Sequence, residues 1–195
     1  GYVYNIGFAG GDRGYLSGKT GSLFGLPYGS ETSVLGYRKD IFEKHGLEVP
    51  ETYEEMLALA CKIPELEPGM GGLSSRAASG HHAAHAFLLH LNPLGGAIFD
   101  ESWNPVMNNA EGVAAAEALK TIVDCGPEGA STFGFGEALG AFLNGDTAMF
   151  LDTTIVAGQI DNPSKSKVVG KVGWALHPMG TERASQTGGF GIGIP

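Results

Sequence analysis

The sequence predicts a mixed α/β fold. Its 32 glycines among 195 residues are scattered through aliphatic and aromatic neighbours, which marks many tight turns rather than disorder. Between the turns, short apolar stretches alternate with segments of helical spacing that carry their own start and stop residues. A chain of this length buries a sizeable core and forms one domain, or one domain with an appendage from a second.

Charge narrows the possible partners. Twelve Lys and Arg stand against 21 Asp and Glu, a net charge of −9, so the basic surface that a phosphate backbone requires is missing and nucleic acid is not an expected partner. No run approaches the roughly 18 apolar residues of a membrane span, and no secretion signal opens at Gly1. A cleaved signal leaves no trace, so compartment stays open at this point. Cys61 and Cys125 lie far apart without CxxC spacing and read as two small buried thiols, their pairing undetermined.

The first twenty residues, with Gly10, Gly11, Gly14, Gly18 and, just beyond, Gly21, show little periodicity and read as the end of a preceding lobe. Ser22 to Tyr28 reads as one short strand and Val34 to Tyr37 as another. Arg38-Lys39-Asp40-Ile41-Phe42 opens a helix that stops at Gly46. After Pro50, Met56, Leu57, Leu59, Ala60 and Ile63 keep helical spacing, and Pro64 is expected to end that helix because it lacks an N–H.

Met70 to Ser75 is a candidate strand delivering Arg76. A helix from about His82 to Leu91 is expected to bury Ala83, Phe87, Leu88 and Leu91, and Gly95-Gly96 follow its stop. Ala97-Ile98-Phe99 reads as a small strand. Asn109 caps a helix from about Ala110 to Val123, with Glu111 in its first turn. Phe135 to Asn144 is helical, Gly145-Asp146 turns into the strand Ala148–Leu151, and Asp152-Thr153-Thr154 begins a polar corner. Val172 to Leu176 is the next strand, in which Trp174 is expected to pack in the core. Gly188 to Ile194 is a strand with close backbone neighbours or a glycine-rich turn.

Five blocks in this order carry a resemblance: Gly25-Leu26-Pro27-Tyr28 with Tyr37-Arg38-Lys39-Asp40-Ile41-Phe42; Pro50 to Glu55; Gly95-Gly96; Phe142-Leu143-Asn144-Gly145-Asp146-Thr147-Ala148-Met149; and Val172-Gly173-Trp174-Ala175 through Ile194. Together they resemble the extracellular solute-binding family of sugar and polyol ABC importers, a maltose-binding-like superfamily. Arg76, Asp152-Thr153-Thr154, Gly126-Pro127, Gly129-Ala130 and Phe135-Gly136-Glu137 are similar to the mannitol and sorbitol branch. The chain departs from that branch at Thr153, where alanine is usual, and at Phe190, where tryptophan is frequent.

The resemblance implies a periplasmic binding protein-like α/β fold, one lobe of a two-lobe receptor with segments of the interlobe hinge. Residues 1–29 would be a remnant of the other lobe and the first crossing segment, 30–187 the ligand-binding lobe, and 188–195 the return crossing segment. The chain would then be part of a longer periplasmic or extracellular receptor, membrane-associated through its importer. Its partners would be a small sugar or polyol and the membrane permease. Cut from its other lobe, the piece could self-associate through the crossing strands.

The residues give chemical content to a binding role. Arg76 offers a fixed fork of donors for vicinal hydroxyls, or serves as a structural partner of a carboxylate. Asp152 and Thr154 stand at a strand end, the usual place for sites in open α/β sheets; capping of the next helix is their other reading. Tyr28 and Phe190 offer aromatic faces to a cleft or to packing, and Glu31 an acceptor or a hinge charge. Gly188-Gly189 lets a ligand or strand approach the backbone, and His81 could touch solute at a helix start.

The principal alternative is a metal-dependent hydrolase using His81 and His85, four apart within a cluster that includes His82 and His90. HExxH is absent, because position 82 is histidine, and no third ligand is fixed by spacing. Ser74 and Ser75 lack a GxSxG elbow, and the terminal glycines match neither dinucleotide nor P-loop order. No cofactor, resident metal or catalytic residue is therefore expected.

Overall fold

The computed structural model describes residues 8–9, 22–23 and 25–193. The glycines at 10, 11, 14, 18 and 21, and Ile194, lie outside the described residues. The chain forms two compact units, one from residues 1–32 with 186–195 and one from Ser33–Ser185.

In the first unit, strands β1 (Phe8–Ala9) and β2 (Ser22–Leu23) pair antiparallel. Strand β3 (Leu26–Arg38) begins here and crosses into the second unit. The two strands expected at 22–28 and 34–37 are thus a two-residue strand and one long strand. The extended backbone continues through Gly29 and Ser30 because both halves of β3 find partners, with a register irregularity between Pro27 and Gly29.

The second unit is a sheet between helical layers. Helix α1 (Lys39–His45) follows β3 and ends at Gly46, whose φ of 59° is the left-handed conformation that glycine accepts without penalty. Helix α2 (Tyr53–Leu66) starts at a capping box: Thr52 Oγ1 accepts the Glu55 N–H, and Glu55 Oε2 accepts the Thr52 N–H at 3.0 Å. Pro64 does not end this helix. It removes one hydrogen bond near the C-terminus, and the last turn is closed by Glu67 N–H donating to Ile63 O at 2.8 Å.

Strand β4 (Gly71–Ser74) packs against α2 so tightly that a methyl on Gly72 would overlap the Ala60 carbonyl, the acceptor Pro64 cannot use. Helix α3 (His81–Leu91) buries Ala86, Leu89, His90 and Leu91, while the expected Ala83, Phe87 and Leu88 are only partly covered. The face turns inward at His90 because its ring finds a buried partner there. No strand forms at Ala97–Phe99; Phe99 makes an isolated bridge to Pro105, which has no N–H to extend a ladder.

Helix α4 (Ala110–Asp124) is capped by the Asn109 side chain, which accepts the Gly112 N–H. Cys125 at its end is disulfide-bonded to Cys61 of α2, with Cα atoms 4.9 Å apart. This corrects the reading of two free thiols: the 64-residue separation is closed by packing of α2, α4 and β4, which no spacing rule encodes. Helix α5 (Phe135–Asn144), strand β5 (Thr147–Thr153), the short helix α6 (Ala157–Ile160) and strand β6 (Val172–Leu176) complete the unit.

The sheet order is β4-β5-β3-β6. β4 and β5 are parallel, and β3 is antiparallel to both β5 and β6, so β4, β5 and β6 share one direction. On one face Leu35, Leu73, Met149 and Leu151 pack against Met56, Ala60 and Ile63 of α2 and Ala118 and Ile122 of α4. On the other, Phe150 stacks on Phe142 of α5 at 5.6 Å, within a cluster that includes Leu139, Val156 and Ile160. Trp174 is not a core residue: on edge strand β6 it stays 42% exposed. Strand β7 (Thr187–Ile192) returns to the first unit and pairs antiparallel with the first half of β3.

Candidate functional site

The C-terminal ends of the co-directed strands in the second unit gather its distinctive polar groups. The segment after β4 delivers Arg76, and β5 delivers Asp152. Arg76 Nε donates to Asp152 Oδ2 at 2.7 Å and Nη2 donates to Oδ1 at 2.8 Å, a bidentate pair. The Thr153 N–H donates to Asp152 Oδ1 at 2.8 Å, and the guanidinium carbon sits 4.7 Å from the centre of the Phe135 ring.

Burial separates the roles of the two charges. The Asp152 side chain is 1% exposed and its oxygens are taken by Arg76 and Thr153, whereas Arg76 is 13% exposed and keeps its Nη1 hydrogens and the second Nη2 hydrogen for other acceptors. Asp152 therefore fixes the fork of Arg76. Phe135 beneath it belongs to a segment that carries the resemblance, but the sequence assigned it no part in the site; the signal was an aromatic opening the helix before β5.

Thr154 follows immediately, opening a 3-10 turn for which Thr153 Oγ1 accepts the Ile155 N–H. With Val34, Ala157 and Trp174 it lines a recess of ≈240 Å³. Val34 is directly opposite both Asp152 and Leu176 in the sheet, and Trp174 is opposite Gly36 two pairs further along. Directly opposed residues share a face, so Asp152, Val34 and Trp174 all project to the α5 side.

His81 is exposed at the first position of α3, its ring 5.4 Å from that of His82 and 6.3 Å from that of His85. Among the described residues, no three of His, Cys, Asp and Glu stand together as a metal cage. A separate buried chain lies behind the sheet end. Ser33 Oγ is 2.9 Å from His177 Nδ1, His177 Nε2 is 2.8 Å from the Tyr53 hydroxyl, and that hydroxyl is 3.0 Å from His90 Nδ1. Burial lowers the His90 pKa to about 3, helped by His177 and His85, and lowers that of His177 to about 4, while it raises that of Tyr53.

The first unit holds the remaining candidates. Tyr28 and Phe190 are both more than half exposed, with ring centroids 6.1 Å apart. Glu31 is opposite Gly188, and a methyl there would come within 2.9 Å of its carboxylate; Gly189 is opposite Ser30.

A sequence profile described as bacterial extracellular solute-binding protein matches residues 2–195. The chain belongs to this family. A mannitol-binding protein of Pseudomonas aeruginosa is 33% identical over 162 residues, covering 81% of this chain and 37% of the relative. Among solved structures, an ABC transporter solute-binding protein from Agrobacterium radiobacter in complex with ribitol superposes with a TM-score of 0.83 at 29% identity, over 98% of this chain and 47% of that one. T. maritima MalE3 with maltose bound gives 0.77 at 32% identity, over 90% and 46%. This solute-binding protein chain thus spans less than half the length of these relatives. As in the solved solute-binding structures, its strands and helices form a mixed α/β sheet with helices packed against it.

Proposed function

We propose that this chain supplies one wall of the solute site in a sugar- or sugar-alcohol-binding receptor of an ABC importer, and that it binds without catalysing a reaction. The observation that carries this reading is the Arg76–Asp152 pair. A guanidinium locked from behind by a buried carboxylate, and backed by Phe135, presents its remaining N–H groups in a fixed orientation at a strand end, which suits vicinal hydroxyls. The names of the relatives, which concern mannitol, ribitol and maltose, support the solute class.

Within the second unit Thr154 and His81 are assigned polar solute contacts along with that pair, and in the first unit Tyr28, Glu31, Gly189 and Phe190 are assigned the aromatic and hydrogen-bonding contacts of the crossing segments. Residues 30–187 act as one lobe, 1–29 as the first crossing segment with a remnant of the other lobe, and 188–195 as the return crossing. Closure buries the solute, and a membrane permease reads the closed form. The Cys61–Cys125 disulfide fits an oxidising periplasmic or extracellular location. The hydrolase alternative gains nothing from His81 and His85, which face each other without a third ligand in the described residues.

Isothermal titration of the native full-length protein against hexitols, pentitols, monosaccharides and short oligosaccharides, with and without a chelator, tests the reading. Saturable binding that survives chelation and weakens about 10- to 100-fold in R76K is expected, the loss of one or two charge-assisted hydrogen bonds. A folded protein that binds none of these solutes, or whose binding is indifferent to Arg76, overturns it.

A further inference from the structure

We infer that the Cys61–Cys125 bond is a clasp that holds strand β4 at the level where Arg76 meets Asp152, so that solute affinity depends on whether the two sulfurs are joined. The affinity half of the inference rests on the proposed solute-binding role of Arg76. The mechanical half stands without it.

β4 has little of its own to hold it in place. It is four residues long, stands at one edge of the sheet and, among the described residues, pairs with β5 alone. Leu73 is its one apolar side chain, and Gly71 and Gly72 before it bring none to key into the core. Those two glycines touch backbone walls instead. A methyl on Gly71 would come within 2.3 Å of the Pro127 nitrogen, and one on Gly72 within 1.8 Å of the Ala60 carbonyl oxygen. The Gly71 N–H donates to Asp146 O at 2.8 Å on the β5 side, and the Gly72 N–H donates to Cys125 O at 3.0 Å on the outer edge.

Both walls are built by the neighbours of the bonded cysteines. Ala60 precedes Cys61 in α2, and Pro64, four residues on, lacks the N–H that would take the Ala60 carbonyl into the helix, so this oxygen is left to face the strand. Cys125 and Pro127 follow α4. The covalent bond therefore fixes the spacing of the walls, with its Cα atoms 4.9 Å apart. A strand rises roughly 3.3 Å per residue, so Arg76, four residues past Gly72, stands roughly 13 Å along from them. A slide or tilt of β4 is passed along the strand to the guanidinium, whose bonds to Asp152 at 2.7 and 2.8 Å tolerate little of it. Reduction by a dithiol breaks the S–S bond with two electrons and two protons, leaving two thiols and oxidising the dithiol to its own disulfide; both cysteines are half-buried, within reach of such a reagent.

A cross-link that acts only through the unfolded chain stabilises every element alike, whereas a clasp acts on one strand of the folded protein. The test compares the native full-length protein in its oxidised form, after reduction with dithiothreitol, and as C61S/C125S, at one temperature below the melting of the oxidised form. Hydrogen exchange resolved by segment is read beside calorimetric titration with D-mannitol, ribitol and maltose. Without the bond, the amides of residues 71–76 are expected to lose at least about tenfold in protection while those of β3 and β6 keep theirs, and the best-binding solute to bind at least about tenfold more weakly. Reoxidation of the reduced protein should restore both. Protection lost evenly across the second unit, unfolding of the reduced protein and the variant as a whole, or unchanged protection at 71–76 overturns the clasp. Local loosening with unchanged affinity overturns the link to the site and leaves the receptor reading standing. If none of the three solutes binds the oxidised protein while the local loosening appears, the affinity half falls with the receptor reading and the mechanical half stands.

Discussion

The Tyr53 hydroxyl stands 2.8 Å from Nε2 of His177 and joins, through one oxygen, two imidazoles delivered by separate parts of the second unit. Tyr53 opens α2, His90 lies near the end of α3, and His177 follows β6, so the link fastens two helices to the sheet. Among the described residues, Ser33 Oγ lies against His177 and Leu89 O near the tyrosine hydroxyl, while His85 on α3 acts on His90 and Arg183 Nη1 donates to His177 O.

Acid is expected to weaken the second unit through these rings. Both folded-state pKa values, about 3 for His90 and about 4 for His177, lie below the ordinary 6.5, so between those limits the unfolded chain binds more protons than the folded one. Their contribution is complete above about pH 6.5, falls on acidification by roughly 1.4 kcal/mol per pH unit for each ring, and stops falling below the folded values. Urea midpoints measured from pH 8 to 4 check this. Replacing His177 with Gln should flatten the slope, and an unchanged slope would assign the acid sensitivity to other groups.

Arg76→Met should destabilise the fold by about 3–5 kcal/mol, because it leaves the Asp152 carboxylate buried without its counter-charge. The double substitution R76M with D152N should recover part of that loss. Denaturant unfolding of the two single variants and the double gives the coupling energy directly; purely additive losses would contradict the pairing.

Reduction of Cys61–Cys125, or its replacement by two serines, should cost about 4 kcal/mol for a loop of this length. The measurement is the melting temperature with and without reductant, on a protein that otherwise keeps its circular dichroism.

Two glycines should respond in opposite directions to alanine. At Gly72 the added methyl overlaps backbone at Ala60 and neither segment can yield cheaply, so a loss of at least about 3 kcal/mol or failure to fold is expected. At Gly140, inside α5, nothing lies within 4 Å, and alanine should gain about 0.5–1 kcal/mol by helix propensity. Equal effects at the two positions would contradict the close contact between β4 and α2.

The sequence by itself determined the local starts and stops. Thr52 with Glu55, Asn109 and Gly46 are short-range devices whose partners lie within a turn, so they are legible from spacing alone. The family is written in five such blocks, and with it the α/β class. Arg76 and the Asp152 corner could be singled out, but their bidentate contact spans 76 positions and depends on β4 and β5 lying parallel and adjacent. Tertiary structure alone decided the long-range facts: Pro64 inside a helix, the Cys61–Cys125 bond, His90 turned inward onto Tyr53, and Trp174 left open on an edge strand. Each turns on which element packs beside which, and that choice is made by the summed burial of the whole sheet rather than by any residue's near neighbours in the chain.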